Sequence, residues 1–233
     1  QDFKLPGMLH GRVIRPSGIG ATLVSFDESS IDHIPGIVKV VRIGNFLGVV
    51  ARTEWSAIRA AQQMSVTWSK WEGLPAQAKL WEHVRGTRIV RDDVTSRVGA
   101  SATALGTAPR KLSATYDFAI HTHGSIGPSC AVASFVDGTL TCWSASQATH
   151  DLRKQLAAML GVGEEHVRCI YIDGAGCYGR NGHEDAAADA ALLARAVGAP
   201  VRVQWMRADE HGWDPKGPPT LLDMRAGLDQ AGN

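Results

Sequence analysis

The chain has 233 residues, with 24 Lys and Arg against 23 Asp and Glu, for a net charge of +1. That balance gives no long-range field to recruit nucleic acid or an anionic membrane surface. Hydrophobic residues make up 44% and charged residues 20%, a globular composition sufficient for one large domain or two ordinary ones.

In chain order, residues 8–15 read as a strand closed by Pro16-Ser17-Gly18, and residues 21–26 as a second. Pro35-Gly36 turns into a strand over 37–41, Gly44-Asn45 turns again, and 46–51 follows. Thr53 is placed to cap a helix over 54–64, with Trp55, Ile58 and Ala61 at helical spacing. Residues 65–68 return as a strand, so residues 1–70 form a small mixed domain of order β-β-β-β-α-β. Residues 71–110 read as a linker, with a candidate helix within 71–85 and a small, polar, turn-prone stretch over 98–109.

A second region runs over 111–233. It holds strands at 112–118, 129–136 and 139–144, the last two joined by the turn Asp137-Gly138. An amphipathic helix is expected over 147–160, with Leu152, Leu156, Met159 and Leu160 on one stripe and Gly161 at its end. A strand at 167–172, an alanine-rich helix at 184–197 and a strand at 201–205 follow. The final strand, 221–228, ends at a turn, and its hydrogen-bonding partner is expected in a longer parent protein or another chain.

Gly174-Ala175-Gly176-Cys177-Tyr178-Gly179 matches G-x-G-x-x-G between a strand and a helix, the context of a dinucleotide-binding loop. Asp209 and Glu210 come late for a ribose-binding acid, and polar residues 180–185 intervene before the helix. The pattern alone leaves three readings open: an NAD(P) site, another anion-binding loop, and a plain connection. Cys130, Cys142, Cys169 and Cys177 share no C-x-x-C spacing, against a zinc knuckle or a local iron–sulfur cluster. The first three read as buried small hydrophobes. No apolar run reaches the about 18 residues of a membrane helix, and the N-terminus resembles no export signal.

The segment from Gln147 to Glu210 resembles the first cofactor-binding domain of the xanthine dehydrogenase/aldehyde oxidase family of molybdenum hydroxylases. The resemblance runs through Gln147, Leu160-Gly161, the loop 174–180, the alanine-rich stretch 186–196, Pro200-Val201-Arg202 and Asp209-Glu210. Leu9-His10-Gly11-Arg12 and Ile34-Pro35-Gly36 resemble the family's small hammerhead domain. Thr122-His123-Gly124-Ser125, the stretch Gly176-Cys177-Tyr178-Gly179-Arg180 and Trp213-Asp214-Pro215 resemble the isoquinoline 1-oxidoreductase-like branch. Two places depart from the wider family. Cys177-Tyr178 stand where Phe-Gly is usual, and His121 and His123 stand where a glutamine toward the metal is usual.

The resemblance implies an α+β protein: a hammerhead-like mixed domain, then part of a molybdenum-cofactor-binding domain. It implies hydroxylation of an N-heteroaromatic compound, or oxidation of an aldehyde, with water as oxygen source. The cofactor implied is molybdenum on molybdopterin, as the cytosine dinucleotide. The base, a glutamate, lies far toward the C-terminus in the family and has no match in this sequence. Cofactor contacts implied or placed nearby are Gly176, Cys177, Tyr178, Gly179, Arg180, His121, His123 and Gln147. Implied partners are the rest of the molybdenum subunit, a 2Fe-2S subunit and a cytochrome c, with a small-molecule substrate. The branch suggests a periplasmic site, with a cytoplasmic one open. An NAD(P)-dependent oxidoreductase and a non-catalytic assembly piece are the alternatives.

Overall fold

The computed structural model describes residues 2–179 and 185–232. Two compact units emerge: residues 1–72 with 122–215, and residues 73–121 with 216–233.

The first unit is built on a seven-stranded mixed sheet. Its strands are β1 (Leu9–Val13), β3 (Ile37–Ile43), β4 (Phe46–Ala51), β7 (Cys130–Val136), β8 (Thr139–Ser144), β9 (Val167–Tyr171) and β10 (Val201–Gln204), in the order β3-β4-β1-β10-β7-β8-β9. A separate pair joins β2 (Leu23–Asp27) to β5 (Ser65–Trp68). Helices α1 (Glu54–Gln63), α4 (Thr149–Leu160), α5 (Asp185–Val197) and α6 (Arg207–Trp213) complete the unit. The sheet crosses the boundary read from the sequence, because β1 pairs in parallel with β10, with Leu9 opposite Val201. Strands β3, β4 and β1 of residues 1–70 thus lie in one sheet with β10, β7, β8 and β9.

Strand β4 shows why. Phe-Leu-Gly-Val-Val-Ala is apolar throughout, and all but Phe46 are buried, as a strand covered on both faces requires. Leu47 and Val49 join a cluster with Ile34, Ala60 and Met64, while Val50 joins the cluster of α4 and α5. Thr53 caps α1, its hydroxyl oxygen accepting the Ser56 N–H at 3.1 Å. Helix α5 buries Ala186, Ala187, Ala190, Ala191, Leu193 and Ala194; small side chains let the helix lie close to the sheet. Leu193 fills a notch left by two glycines. A Cβ on Gly11 would lie 2.5 Å from its Cδ1, and one on Gly48 2.9 Å from its Cδ2.

Helix α4 starts at Thr149, two residues after Gln147, which stands in the bend before it. Leu152, Leu156, Ala157 and Leu160 face the core, whereas Met159 is 40% exposed. Gly161 closes α4 in the left-handed conformation, as expected.

The second unit comprises α2 (Leu80–Gly86), α3 (Ser101–Thr107) and the antiparallel pair β6 (Arg110–Phe118) and β11 (Thr220–Leu228). Two expectations need correction. The stretch 98–109, read as turn-prone, contains α3. The last strand does not lack a partner within the chain: β11 pairs with β6 over nine residues, from Thr220 opposite Phe118 to Leu228 opposite Arg110.

Candidate functional site

Strands β8 and β9 run parallel at the edge of the sheet. Their carboxyl ends deliver two segments side by side, the usual place for a ligand in a parallel arrangement. The Ile172 N–H donates to Ser144 O at 3.2 Å, so the chain leaving β9 starts along the chain leaving β8. The first segment carries Gln147, whose side chain is exposed. The second is the glycine-rich loop.

The loop is held in an uncommon shape. Gly176 and Gly179 have φ of 104° and 105°, and Tyr178, not a glycine, has φ of 50°. A left-handed tyrosine costs about 1–2 kcal/mol, so neighbouring contacts must hold it. Ser125, 3% exposed, donates its hydroxyl to Cys177 O at 3.3 Å. The Gly127 N–H donates to Ala175 O at 3.2 Å. The His123 ring lies against Gly179, where a Cβ would sit 3.3 Å from its Cδ2.

That supporting segment is pinned in turn. Arg207 donates to Ser125 O at 2.7 Å and Ile126 O at 2.9 Å. It also pairs with Glu210 at 2.5 Å, and the other Glu210 oxygen accepts the Ser129 N–H at 2.8 Å. Glu210 is 6% exposed, and Asp209 accepts the Met206 N–H at the start of α6. The Asp209-Glu210 pair is therefore spent on fixing α6 and the 125–129 segment, and is not aimed at a ribose. Beside it, His123 Nδ1 faces Asp214 Oδ2 at 3.6 Å.

Chemically, the loop offers amides. The N–H groups of Cys177, Tyr178 and Gly179 meet no acceptor among the described residues. Successive amides around left-handed residues form a concavity suited to an anionic oxygen. Among the described residues no three His, Cys, Asp or Glu side chains converge as metal ligands. A metal group at this loop would be held through its own carrier and contacted by backbone donors, which suits a metal–pterin cofactor.

Behind the loop, Gly174 and Ala175 share a cleft with Phe3, Cys130, Trp143 and Arg202. The Phe3 and Trp143 rings meet at a 34° tilt with centroids 5.2 Å apart. Arg202 reaches Glu54 at 3.4 Å, and Glu54 also binds Arg12 at 2.8 Å. Burial lowers the pKa of neighbouring His10. Sequence reasoning did not single out this polar group, because its members come from two strands and a helix far apart in the chain.

Two further candidates remain, His121 and Arg180. His121 belongs to the second unit. Its backbone pairs with Gly217, and its Nδ1 lies 3.2 Å from Ala119 O. Arg180 lies outside the described residues. Trp205 packs in the core, donating its indole N–H to Asp189 at 2.8 Å. Cys142 is buried, and burial pushes Cys169 up to about 11, so neither is a ready thiolate.

The geometry defines an α+β protein that presents a strained amide loop at the carboxyl ends of a parallel strand pair. Residues 83–233 match the model of the molybdopterin cofactor-binding domain, and the chain belongs to that family. Over its whole length it is 44% identical to one of the subunits of nicotinate dehydrogenase from Pseudomonas putida, of which it covers 20%. It is 28% identical to the aldehyde oxidoreductase molybdenum-binding subunit PaoC of Escherichia coli, with 97% of this chain and 34% of that one covered. Among solved structures, quinoline 2-oxidoreductase from Pseudomonas putida 86 superposes with a TM-score of 0.77 at 19% identity, over 98% of this chain and 35% of that one. The aldehyde oxidoreductase from Desulfovibrio gigas gives 0.79 at 15% identity, over 98% and 30%. The chain thus spans from a fifth to about a third of these relatives' lengths.

Proposed function

We propose that the chain forms the first part of the molybdenum-cofactor subunit of a hydroxylase acting on an N-heteroaromatic compound, with aldehyde oxidation as the second substrate class. The observation that carries this reading is the loop 174–179, whose Cys177, Tyr178 and Gly179 amides meet no acceptor among the described residues and whose left-handed shape is held by Ser125, Gly127 and His123. The 44% identity to a nicotinate dehydrogenase favours the heteroaromatic class over the aldehyde class, where identity is 28%.

A bound molybdenum–pterin group, as the cytosine dinucleotide, supplies the two-electron oxidation. This chain's part is to bind and orient. The amides of Cys177, Tyr178 and Gly179 donate to an anionic oxygen, stabilisation by dipoles fixed beforehand. Gly176 and Gly179 allow the close backbone approach. His123 borders the loop, Gln147 offers a carboxamide from the adjacent strand exit, and Tyr178 shapes the mouth. Arg180 supplies a cation for an anionic group. Electrons leave through a 2Fe-2S subunit and onward to a cytochrome c.

The test is metal analysis of the full assembly with Gly176→Val and Gly179→Val together. Molybdenum content should fall at least tenfold while the subunits still copurify. Unchanged molybdenum and turnover would reject the loop's role, and an unsubstituted assembly free of molybdenum would reject the class.

A further inference from the structure

Helix α6 touches the segment 122–129 from both of its ends. At its start, Arg207 holds Ser125 and Ile126, and Glu210 holds Ser129. At its end stands Asp214, whose backbone N–H closes the helix on Glu210 O at 2.9 Å. A carboxylate is out of place there, because the last turn of a helix presents carbonyl oxygens and the negative end of the dipole. Pro215 follows and keeps residue 214 extended, with φ of −62° and ψ of 133°. The helix gains nothing from this charge, so its purpose lies in what it faces.

It faces His123. The Asp214 side chain is only 10% exposed and that of His123 23%. Thr122 donates its hydroxyl to Asp214 Oδ2 at 3.5 Å, and the same oxygen lies 3.6 Å from His123 Nδ1. Nδ1 is buried and makes no hydrogen bond among the described residues, a costly state for a ring nitrogen. At 3.6 Å the pair is longer than a hydrogen bond; pairs of this kind at ligand sites commonly tighten when the ligand binds. The opposite edge of the ring lies on the glycine loop, where a Cβ on Gly179 would sit 3.3 Å from Cδ2 and 3.6 Å from Nε2. One ring thus links a carboxylate to the amide cradle of residues 177–179.

We infer that Asp214 is the positioning residue of His123: it takes the Nδ1 proton and leaves Nε2, at Gly179, as the ring atom whose proton can come and go. A carboxylate only accepts, and the partner of one ring nitrogen decides the state of the other. With Asp214 in place, Nε2 is a lone pair when the ring is neutral, and a donor once an anionic oxygen in the cradle draws a proton onto it. What fills the cradle follows from the function proposed above; the proton's place on the ring does not depend on it.

Carbethoxylation by diethyl pyrocarbonate, which attacks an unprotonated ring nitrogen, tests this in the full assembly, with His123 resolved from His121 by fragment ions in mass spectrometry. Rates are taken at the pH plateau, where the ring is neutral in every variant. In the molybdenum-free assembly, Asp214→Ala should slow His123 by about threefold or more, because the proton is then free to sit on Nε2. Loosening of the segment would have the opposite sign. Asp214→Asn keeps an acceptor oxygen of the same reach and should stay within about twofold of the unsubstituted assembly. Should Asp214→Ala fail to assemble, Asp214→Ser, too short to reach Nδ1, is read in its place. A rate that holds or rises in Asp214→Ala overturns the inference, and so does a fall in Asp214→Asn as deep as that in Asp214→Ala. In the molybdenum-loaded assembly His123 should react about tenfold more slowly than without molybdenum, since the bound group covers that edge of the ring; equal rates would take Nε2 away from the cradle and overturn it too. An assembly that never holds molybdenum would sink the class proposed above, while the variant series would still read the Asp214–His123 pair.

Discussion

The two units use the same strand chemistry with opposite results. In the first, the strands are covered by α5 and α4 on one face and, at β4, by α1 on the other, so Leu47, Val49 and Leu140 of the strands and Leu193 of α5 are fully buried. In the second, β6 and β11 sort apolar and polar side chains by alternation, yet no described residue is buried. Alternation decides which face is apolar; only a covering layer turns that face into a core. The first unit is therefore stabilised by packing, and the second by a backbone ladder and an exposed ion pair, which contribute little on their own.

That contrast can be broken by substitution. The largest effect should come from Leu193→Ala, which empties the notch over Gly11 and Gly48. Urea unfolding should show a loss of about 2–5 kcal/mol, and a loss below about 1 kcal/mol would mean the notch is loosely filled. Next comes Asp189→Ala. Arg15 lies 2.5 Å from Asp189 and 4.5 Å over the Trp205 ring, and the indole N–H also bonds the carboxylate. Burial raises the pKa of Asp189 against the pull of Arg15 and Trp205. Its loss orphans two donors and should cost about 2–4 kcal/mol, read as a lower melting temperature by circular dichroism. Thr53→Ala removes the cap of α1 and should cost about 1 kcal/mol.

The smallest effects belong to the second unit. Arg85→Ala should leave the main unfolding transition unmoved and speed hydrogen exchange only in β11. Acid should do the same. Arg85 and Thr115 hold the Asp223 carboxyl below its ordinary value of 3.8. The support it gives is thus complete above that value and fades as the pH falls through the lower, folded one. Protection from exchange, taken relative to the intrinsic rate at each pH, should fall in β11 over that acid window while that of β4 stays constant; a joint fall would mean that the two units unfold as one.

Local order was largely legible in the residues. The expected spans 46–51, 65–68 and 139–144 coincide with β4, β5 and β8; the first and last start directly after the turns Gly44-Asn45 and Asp137-Gly138. Helix α3 was missed since Ser-Ala-Thr-Ala-Leu-Gly-Thr has one large apolar side chain and no stripe to read. Helix α6 was missed because it is short and capped by Asp209 rather than by an N-cap hydroxyl. Gln147 was read as the helix start, but the chain bends there first. The glycine loop announced itself by composition. Its supports did not: Ser125, Arg207 and Asp214 reach it or its underlying segment only through contacts between distant parts of the chain, which no local pattern records.

The parallel pairing of β1 with β10 has a consequence for biosynthesis. Leu9 must wait for Val201 before its ladder can close. At the usual pace of about 5–20 residues per second, the ribosome needs roughly 10–40 s to deliver that strand. Until then the edge of β1 is bare, and β3 with β4 can shelter only its other side. A nascent chain stalled in this interval would be open to capture by chaperones or by its neighbours on the same message.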